Sequence, residues 1–549
     1  MRTKAHTQFL YSEKFRLCCV IAGGIFSALP FFADSLFLLE WFSFIPFFLI
    51  FTSKQTFSAK KAFLYGFLNH FIKSAIILSW FKELIYMEPL GFPAPFLIAI
   101  ILFIILAISA LHATLFGLSS VIYSMLCKTS NNVLAKSLCF AAFHTAAELI
   151  LTLSEKLDFP GFPWAVTYIS QGAFISGIQS ASIFGAYFIT FIIVLFNALI
   201  AHALFCSPLK RNLCIFLAIV IFTGNLIFGT LYIKHDKNTE SIDAVIYQDN
   251  NSSYDKWAKL SVDTFDEFRN DITSYFSENP KADIVVLSET VFTTLFNTNI
   301  GKSSINGRYI QDGLIALSKD LGCTIVCGAF TEQNEERYNS IYLFENGKMH
   351  NNIYNKHTLV PFGEYIPGKL THTFPFLENF NLGGKPLTKG AEHHVFKTDK
   401  LNIGALICYD SLFYENAAES TKNAAEIIVM STNDSWYNDS AAVYQHFAHA
   451  RFRAVETGRS IVRSAATGIS GIIDSHGRTV IHGKLLQKDI VAGKATVRNN
   501  ITPFTRYGYI YFYILLIISS IYTAACCFYK KLPIRRKYNE FQSKNNFTA

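Results

Sequence analysis

The chain has 549 residues, of which 51% are hydrophobic and only 16% are charged, against about 25% charged residues in ordinary soluble domains. Phenylalanine alone occurs 53 times. If the apolar residues are segregated along the chain, this composition indicates lipid-facing segments and excludes an ordinary soluble protein. The net charge of +8 is supplied by basic clusters beside apolar segments, so it gives no indication of nucleic-acid binding.

The apolar residues fall into eight stretches, each roughly long enough to cross a hydrocarbon core of about 30 Å as a helix. The stretches are 17–34, 36–52, 63–80, 94–125, 133–152, 182–206, 212–234 and 509–529. A block of mixed charged and apolar residues separates the seventh stretch from the eighth. The sequence therefore predicts a polytopic α-helical membrane protein with three parts. These are a seven-span membrane domain at 1–240, a globular domain at 241–503, and an eighth span with a basic tail at 504–549.

Lysine and arginine are concentrated in alternate connections between the spans, and this asymmetry predicts the orientation in the membrane. Basic residues lie before span one, in three alternate connections and after span eight, as in Arg2, Lys54, Lys128, Lys210 and Arg535. We therefore expect both termini in the cytoplasm and, after seven spans, the globular block outside it. Span one is expected to remain uncleaved, because no clear small-residue cleavage site follows it.

Strands and helices alternate in the globular block, which is typical of an α/β domain. The predicted strands are 241–248, 283–289, 323–330, 402–410 and 425–434, and the predicted helices are 254–277, 313–322 and 441–458. Asn346-Gly347 joins two strand-like runs and predicts a hairpin, and a second hairpin is expected around 474–480. The first of the helices carries an apolar stripe that begins with Trp257 and Leu260, so we expect that stripe to be buried.

Cysteine is used mainly as a small apolar residue, since most of the eleven cysteines lie in or beside spans. Cys323 and Cys327 share one predicted strand at a spacing of about 13 Å, which is too far apart for a disulfide. We expect a structural role for both. The block shows no paired clusters of metal ligands and no glycine-rich nucleotide fingerprint, so we expect no metal and no cofactor.

Three reactive residue types follow apolar runs in the globular block. Glu289 follows one predicted strand, Lys356 follows the hairpin, and Cys408 follows another strand. Because the carboxyl ends of neighbouring strands meet at one edge of a sheet, we expect the three side chains to converge there. An acid, an amine and a thiol together can perform acyl transfer. Taken singly, each residue has an ordinary structural explanation, so the surrounding motifs decide.

The surrounding motifs resemble a known family. The runs NKHTLVPFGEYIP at 355–367, LICYDSLF at 406–413 and STNDSWYND at 431–439 are similar to the carbon–nitrogen hydrolase, or nitrilase, superfamily. The first run, together with GFPW at 161–164, resembles the membrane-bound apolipoprotein N-acyltransferase family within it. The layout of seven spans, a globular domain and an eighth span matches that family as well. The resemblance covers nearly the whole chain and implies a nitrilase-like α-β-β-α sandwich.

The resemblance also implies roles for individual residues. Glu289 matches the general base of the family, Lys356 the lysine that stabilises the oxyanion, and Cys408 the nucleophile. The supporting residues that it implies are Glu364, Tyr409 and Trp436. Two positions depart from the usual pattern: Ser288 stands where the family has proline, and Asp410 where its membrane-bound members often have glutamate. Neither departure removes a reacting group.

The implied activity is N-acylation of apolipoproteins by a ping-pong mechanism. An acyl chain would move from a phospholipid to a cysteine thioester, and then to the α-amine of an N-terminal S-diacylglyceryl-cysteine. The implied partners are the phospholipid donor, the diacylated apolipoprotein and the bilayer, without nucleic acid. The implied location is the bacterial inner membrane, with the catalytic domain on the periplasmic side.

Two other functions remain open at the level of sequence. A membrane-tethered amidase of the nitrilase type would use the same three residues with water or ammonia as acceptor. A transporter or channel would explain the ionisable residues Lys73, His144 and Glu148 within predicted spans. These three side chains could pair with one another, face a polar cavity or bind a lipid headgroup.

Overall fold

The computed structural model describes residues 12–531 except 53–56, 87–92, 154–160, 237–239, 297–303, 374 and 376–385. Three of the basic residues that predict the orientation, Arg2, Lys54 and Arg535, lie outside the described residues. The α-helices of the amino-terminal part are α1 (Glu13–Ala28), α2 (Glu40–Ser43), α3 (Ile45–Thr52), α4 (Ala59–Ile77), α5 (Ala94–Thr129), α6 (Val133–Thr152), α7 (Ile175–Ile178), α8 (Ala181–Phe184), α9 (Tyr187–Ala203) and α10 (Pro208–Lys234).

Seven helical segments in the described part of the chain are long and apolar enough to cross a membrane. They are Glu13–Phe31, Asp34–Phe51, Ala59–Ile85, Ala94–Thr129, Val133–Thr152, Pro208–Lys234 and Ile510–Tyr529. An eighth candidate is a broken pair, Ile175–Phe184 with Tyr187–Ala203, which is bent by 116° at the break. These segments correspond to the eight predicted stretches, and the protein is a polytopic membrane protein.

The stretch predicted as one span at 182–206 is the exception, because the helix breaks near its start. Gly185 has a φ of +77°, a left-handed conformation that glycine adopts readily. A side chain there would also lie within 2.4 Å of the Phe504 ring and 2.6 Å of the Tyr509 ring. Hydropathy reports only the apolar character of such a stretch, so it could not predict this bend.

The ionisable residues within the spans form one buried cluster. Lys73 Nζ lies 3.6 Å from Glu40 Oε1 and 3.9 Å from Glu148 Oε1. His144 Nε2 lies 3.6 Å from the same Glu148 oxygen. Glu148 also accepts hydrogen bonds from the backbone N–H and the hydroxyl of Thr167, in the connection that follows α6. The observed arrangement is therefore mutual pairing, and it fastens that connection to the helices beneath it.

The globular block begins at β1 and ends before two helices that return to the membrane. Its strands are β1 (Ser241–Gln248), β2 (Ile284–Val286), β3 (Phe292–Phe296), β4 (Thr324–Gln333), β5 (Glu336–Glu345), β6 (Lys348–Met349), β7 (Tyr354–Asn355), β8 (Phe396–Lys397), β9 (Asn402–Ile407), β10 (Ile427–Thr432), β11 (Ile461–Ala465), β12 (Gly471–Ile473), β13 (Thr479–His482) and β14 (Asp489–Thr496). Its helices are α11 (Ser253–Ala258), α12 (Ser261–Glu278), α13 (Ile305–Leu321), α14 (Gly368–Thr373), α15 (Tyr414–Lys422) and α16 (Ala441–Thr457), followed by α17 (Pro503–Tyr507) and α18 (Ile510–Lys531).

The strands form two mixed sheets that pack face to face. The first sheet has the order β14-β1-β2-β4-β5-β6, with β3 added to β4 and β7 added to β5. The second sheet has the order β13-β12-β11-β10-β9-β8. The inner faces share one core, in which residues such as Ile246 and Val286 are buried with Ala405 and Val429. Helices α12 and α13 cover the outer face of the first sheet, and α15 and α16 cover the second. The expected α-β-β-α sandwich is confirmed.

Local predictions in the block succeed where the signal is short-range. Asn346 and Gly347 have φ angles of +51° and +73° in the turn between β5 and β6, as a tight hairpin requires. The helix predicted at 254–277 is wrong in one respect, because it is interrupted between α11 and α12. Trp257 and Leu260, predicted to be buried, are 60% and 63% exposed. The apolar spacing continues across the break, so it placed both residues on the buried face of one long helix. The two separate helices α11 and α12 do not form such a common face.

Candidate active site

The three predicted reactive residues lie at ends of strands. Glu289 comes three residues after β2, Lys356 directly after β7, and Cys408 directly after β9. The two sheets are joined at this point, because Ser431 of β10 pairs with Ile407 and donates its hydroxyl to Leu287 O at 2.8 Å. Cys408 and Glu289 therefore lie on either side of one cross-sheet hydrogen bond. All three side chains are buried.

Lys356 is held between two carboxylates. Its Nζ lies 3.1 Å from Glu289 Oε1 and 2.9 Å from Glu364 Oε1. Asn339 of β5 donates from Nδ2 to the same two oxygens, at 2.7 Å and 3.2 Å. The backbone of Asn339 also fixes the lysine, since Lys356 N donates to Asn339 O at 2.9 Å. An ammonium has three N–H groups, so one remains beyond the two that face these carboxylates.

The loop that follows Lys356 is ordered by its own hydrogen bonds. Glu364 Oε2 accepts from Val360 N at 2.8 Å, and Glu364 N donates to Val360 O at 2.9 Å. Phe362 has a φ of +62°, and its N–H donates to Tyr365 O at 2.7 Å. The loop therefore folds back on itself and returns Glu364 to Lys356. This geometry explains why a charged residue occurs in an apolar loop rich in proline.

The nucleophile position has an unusual backbone. Cys408 has a φ of +48°, which is uncommon for a residue other than glycine and clusters at functional sites. Its carbonyl oxygen accepts from the Ser411 hydroxyl at 2.9 Å and faces His446 Nε2 at 3.2 Å. His446 Nδ1 lies 2.8 Å from Asp434 Oδ1, and Asp434 pairs with Arg463 at 2.7 Å. A buried polar network thus supports the strained residue from beneath.

Asp410 ties the nucleophile segment to the lysine segment. Its carboxylate accepts from Thr358 N at 2.7 Å, from the Tyr354 hydroxyl at 2.9 Å and from Ile407 N at 3.0 Å. Burial raises the pKa of Asp410 to about 7, although these donors oppose the shift. The shorter acid at this position therefore reaches the backbone on both sides of the site. Ser288, the other departure, donates its hydroxyl to Asp249 at 2.8 Å.

The electrostatics of the site favour a resting state with a neutral thiol beside an ion pair. Burial raises the pKa of the Cys408 thiol, the Glu289 carboxylate raises it further, and Lys356 opposes the shift. Burial alone would raise the pKa of Glu289, but Lys356 and Lys256 outweigh it and hold that pKa below its ordinary value. The two carboxylates keep the pKa of Lys356 well above its usual range despite burial. In this state Glu289 is ionised and can accept a proton, whereas the Cys408 thiol keeps its own.

An aromatic cluster from the membrane part covers the site. Phe162 stacks on Tyr409 at 6.1 Å between ring centroids, and on Trp164 at 5.6 Å. Trp164 donates from its indole N–H to Gln445 of α16 at 2.5 Å. The GFPW segment is therefore part of the site wall. Trp436 is 38% exposed, while the neighbouring ring of Tyr437 is buried against Trp164.

Several residues of the site were not predicted from the sequence, namely Asn339, Lys256 and His446. Asn339 lies mid-strand and Lys256 on a short helix, where a polar residue normally faces solvent. His446 lies on the predicted helix 441–458, in which the sequence singles out no individual residue. The property that distinguishes these polar residues is that they are buried, and this becomes visible only when the two sheets are packed together. Lys256 and His446 are both buried.

Comparison with known proteins finds matches to both the membrane helices and the sandwich. Residues 244–492 match the carbon-nitrogen hydrolase family model, and residues 23–199 match that of the apolipoprotein N-acyltransferase N-terminal domain. An apolipoprotein N-acyltransferase of Borreliella burgdorferi is 29% identical over 336 residues, which cover 60% of this chain and 64% of the relative, slightly under two thirds. One of Geobacter metallireducens is 25% identical over 502 residues, which cover 89% of this chain and 91% of the relative.

Among solved structures, the chain is similar to Saccharomyces cerevisiae Nit3, a member of branch 10 of the nitrilase superfamily. That match has 18% identity and a TM-score of 0.37, and it covers 48% of this chain and 92% of Nit3. The two family models match separate parts of one chain, the membrane helices and the sandwich, in the order that the resemblance implies. The chain belongs to the apolipoprotein N-acyltransferase family.

Proposed function

We propose that this protein transfers an acyl chain from a phospholipid to the N-terminal α-amine of a diacylated apolipoprotein, through a thioester on Cys408. The observation that carries the proposal is the buried Cys408–Lys356–Glu289 site, whose wall includes aromatic residues of the membrane part. The membrane part that supplies this wall lies in the bilayer, where both a phospholipid and a lipid-modified peptide are anchored. Catalysis inside the globular domain alone would not require that wall.

In the first half-reaction, the Cys408 sulfur attacks the ester carbonyl of the phospholipid while Glu289 accepts the thiol proton. Collapse of the tetrahedral intermediate breaks the carbon–oxygen bond, and Glu289 returns the proton to the departing lysophospholipid alcohol. The third N–H of Lys356 is suited to the oxyanion of that intermediate. Removal of one such donor typically costs about 2.7–4 kcal/mol of transition-state stabilisation.

In the second half-reaction, the α-amine of the acceptor attacks the thioester carbonyl. Glu289 takes the proton that the amine loses, the carbon–sulfur bond breaks, and Cys408 recovers a proton as the amide leaves. Glu289 therefore acts as base in both directions, and no cofactor enters either step. The depressed pKa of Glu289 keeps it ionised and ready between the two steps.

We also propose the topology that the basic residues indicate. The membrane domain is 1–240, the catalytic domain is 241–503 on the periplasmic side, and 504–549 returns the chain to the cytoplasm. Both termini are cytoplasmic in this arrangement, in the bacterial inner membrane. The basic residues Lys128 and Lys210, beside the connections that follow the fourth and the sixth predicted spans, support it.

The test is the mass of Cys408 after exposure to phospholipid without acceptor. The protein in phospholipid vesicles should gain one acyl chain on the peptide that contains Cys408, and hydroxylamine should release it. A diacylated lipopeptide should also discharge it and become N-acylated. Cys408→Ala should gain nothing, whereas Cys323→Ala and Cys327→Ala should behave like the parent, because both thiols are packed in the apolar core between the first sheet and its covering helices.

Two outcomes would overturn the proposal. If N-acylated lipopeptide forms while no acyl mass ever appears on Cys408, the covalent mechanism is wrong. If phospholipid never acylates Cys408 but small amides are hydrolysed, the chain is an amidase of the nitrilase type instead.

A further inference from the structure

Helix α11 turns a lysine inward and its aromatic residues outward. Lys256 is buried, whereas Tyr254 and Trp257 on either side of it are mostly exposed. Lysine is almost never fully buried unless its ammonium is paired, because transfer of the charge from water is costly. The burial of Lys256 therefore requires specific partners, and these partners identify what the residue does.

The partners of Lys256 belong to the turn that carries the general base. Its Nζ donates to the backbone carbonyl oxygen of Glu289 at 2.5 Å and to the Thr290 hydroxyl at 2.6 Å. Thr290 has a φ of +41°, which is a strained conformation for a β-branched residue. The lysine thus holds a strained turn from the side opposite Lys356.

Lys256 also contributes charge to the site. Four titratable groups act on its pKa, namely Glu289, Asp249, Cys408 and Lys356. Burial lowers the pKa of Lys256 to about 8, and the three acidic groups oppose that shift. In most molecules Lys256 is therefore cationic at neutral pH. A cation at this position favours the ionised form of both the carboxylate and the thiol.

We propose that Lys256 is a positioning residue for the general base, which orients the Glu289 turn through two hydrogen bonds and provides a second buried cation for thiolate formation at Cys408. The inference rests on the proposed acyl transfer for its consequence in catalysis. Its electrostatic part concerns the thiol alone, so it can be measured without an acyl donor.

The first experiment compares alkylation of Cys408 by iodoacetamide in the full-length parent, Lys256→Met and Lys256→Arg, with peptide mapping by mass spectrometry. Loss of a nearby charge raises a thiol pKa by about 1 unit, which leaves about tenfold less thiolate at a fixed pH. We expect Lys256→Met to slow alkylation of Cys408 by about tenfold at about pH 7, where Lys256 is mostly charged, and Lys256→Arg to stay within about twofold of the parent.

Lys259→Met is the matched control, because it removes the same charge three residues away. Lys259 is partly exposed and pairs with Glu267 at 2.7 Å, on the far side of the break that follows α11. In Lys259→Met, Cys408 should be alkylated at the same rate as in the parent. Equal alkylation rates in Lys256→Met and the parent would overturn the proposal, as would an equal loss in Lys256→Met and Lys259→Met.

The second experiment measures acylation of Cys408 by phospholipid vesicles as a function of pH. In Lys256→Met the acid limb should move to higher pH, because the Glu289 pKa rises when a neighbouring cation is lost. Lys256→Arg should keep the limb of the parent and show a lower plateau. A lower rate with an unmoved limb in Lys256→Met would indicate a structural role only and would contradict the proposal.

Thr290→Val separates the two contributions and serves if Lys256→Met does not fold. It removes one of the two hydrogen-bond acceptors and keeps the charge. It should lower the acylation rate several-fold and leave alkylation of Cys408 unchanged. An unchanged acylation rate would exclude the orienting contact. If the parent itself is not acylated, the proposed function fails, and the alkylation series still decides the role of Lys256.

Discussion

Asn339 donates its side-chain amide to Glu289, with 2.7 Å between Nδ2 and Oε1. The second acceptor of the same nitrogen is Glu364, so one amide serves both acids that flank Lys356. Asn339→Asp keeps the shape but places a third carboxylate against the pair. We expect it to lower acylation of Cys408 by at least about 100-fold, because like charges in a buried site raise one another's pKa values.

Asn339→Ala removes the donor without adding charge, so its loss should be smaller, about 10-fold, as for a neutral hydrogen bond to a charged group. The two variants are measured side by side as single-turnover acylation rates. If Asn339→Asp were the more active of the two, the amide would not be acting as a donor to the acids.

Lys356 provides a second prediction. Lys356→Ala leaves Glu289 and Glu364 buried without their shared ammonium, and a broken buried ion pair typically costs about 3–5 kcal/mol of folding free energy. Glu364→Gln keeps the volume and leaves Lys356 paired with Glu289, so it should cost less. Both should lose most turnover while the protein still inserts, and this applies equally to Glu364→Ala.

Lys356→Arg keeps the charge and tests the geometry. A planar guanidinium cannot replace a compact ammonium that faces two carboxylates and an oxyanion, so full rate should not return. Thermal unfolding and acylation are measured on the same preparations. Near-normal acylation in Lys356→Ala would remove this lysine from the catalytic set.

Some residues of the site could be predicted from the sequence, and others could not. Glu289 and Cys408 follow strands, so a local rule about strand ends placed them at one edge before any tertiary contact was known. Lys256 and Asn339 have partners far along the chain, and their own neighbourhoods are typical of a helix surface and a strand face. The break at Gly185 depends on a φ angle and on two aromatic rings from the end of the chain. Patterns of hydropathy carry no information about either.

The pH dependence of stability follows from the depressed pKa of Glu289, whose ordinary value is 4.5. Because the folded-state pKa is lower than the unfolded one, the ionised carboxylate contributes stability that is present above pH 4.5 and is lost as the pH falls through the folded pKa. At pH values below 4.5, the thermal midpoint of the detergent-solubilised parent should therefore decrease more steeply with falling pH than that of Glu289→Gln. Parallel curves would show that the ion pair contributes nothing to folding.

The proposed topology predicts the behaviour of two fusions. A reporter that is active only outside the cytoplasm should be active when it is fused near residue 300, because seven spans precede that point. The same reporter at the C-terminus should be silent, since the eighth span returns the chain to the basic side. The reverse pattern would exclude both the orientation and a lipoprotein acceptor on the periplasmic side.

The last prediction concerns Gly328 in β4, which lies against the turn of the general base. A Cβ at this position would lie 2.3 Å from Thr290 N and 2.8 Å from Ser288 O, both of them backbone atoms that cannot rotate away. Gly328→Ala must therefore displace the turn that carries Glu289. A misplacement of about 1 Å can lower a rate by about 100-fold, so we expect acylation of Cys408 to become about 10- to 100-fold slower.

Gly224→Ala is the matched control for Gly328→Ala. Gly224 lies in α10, and a Cβ there would have nothing within 4 Å. The control should insert, fold and acylate like the parent. The decisive comparison is the acylation rate at equal folded protein, measured by single turnover in vesicles. If Gly328→Ala folds and acylates Cys408 as fast as Gly224→Ala, the close approach of β4 to this turn does not fix the position of the base.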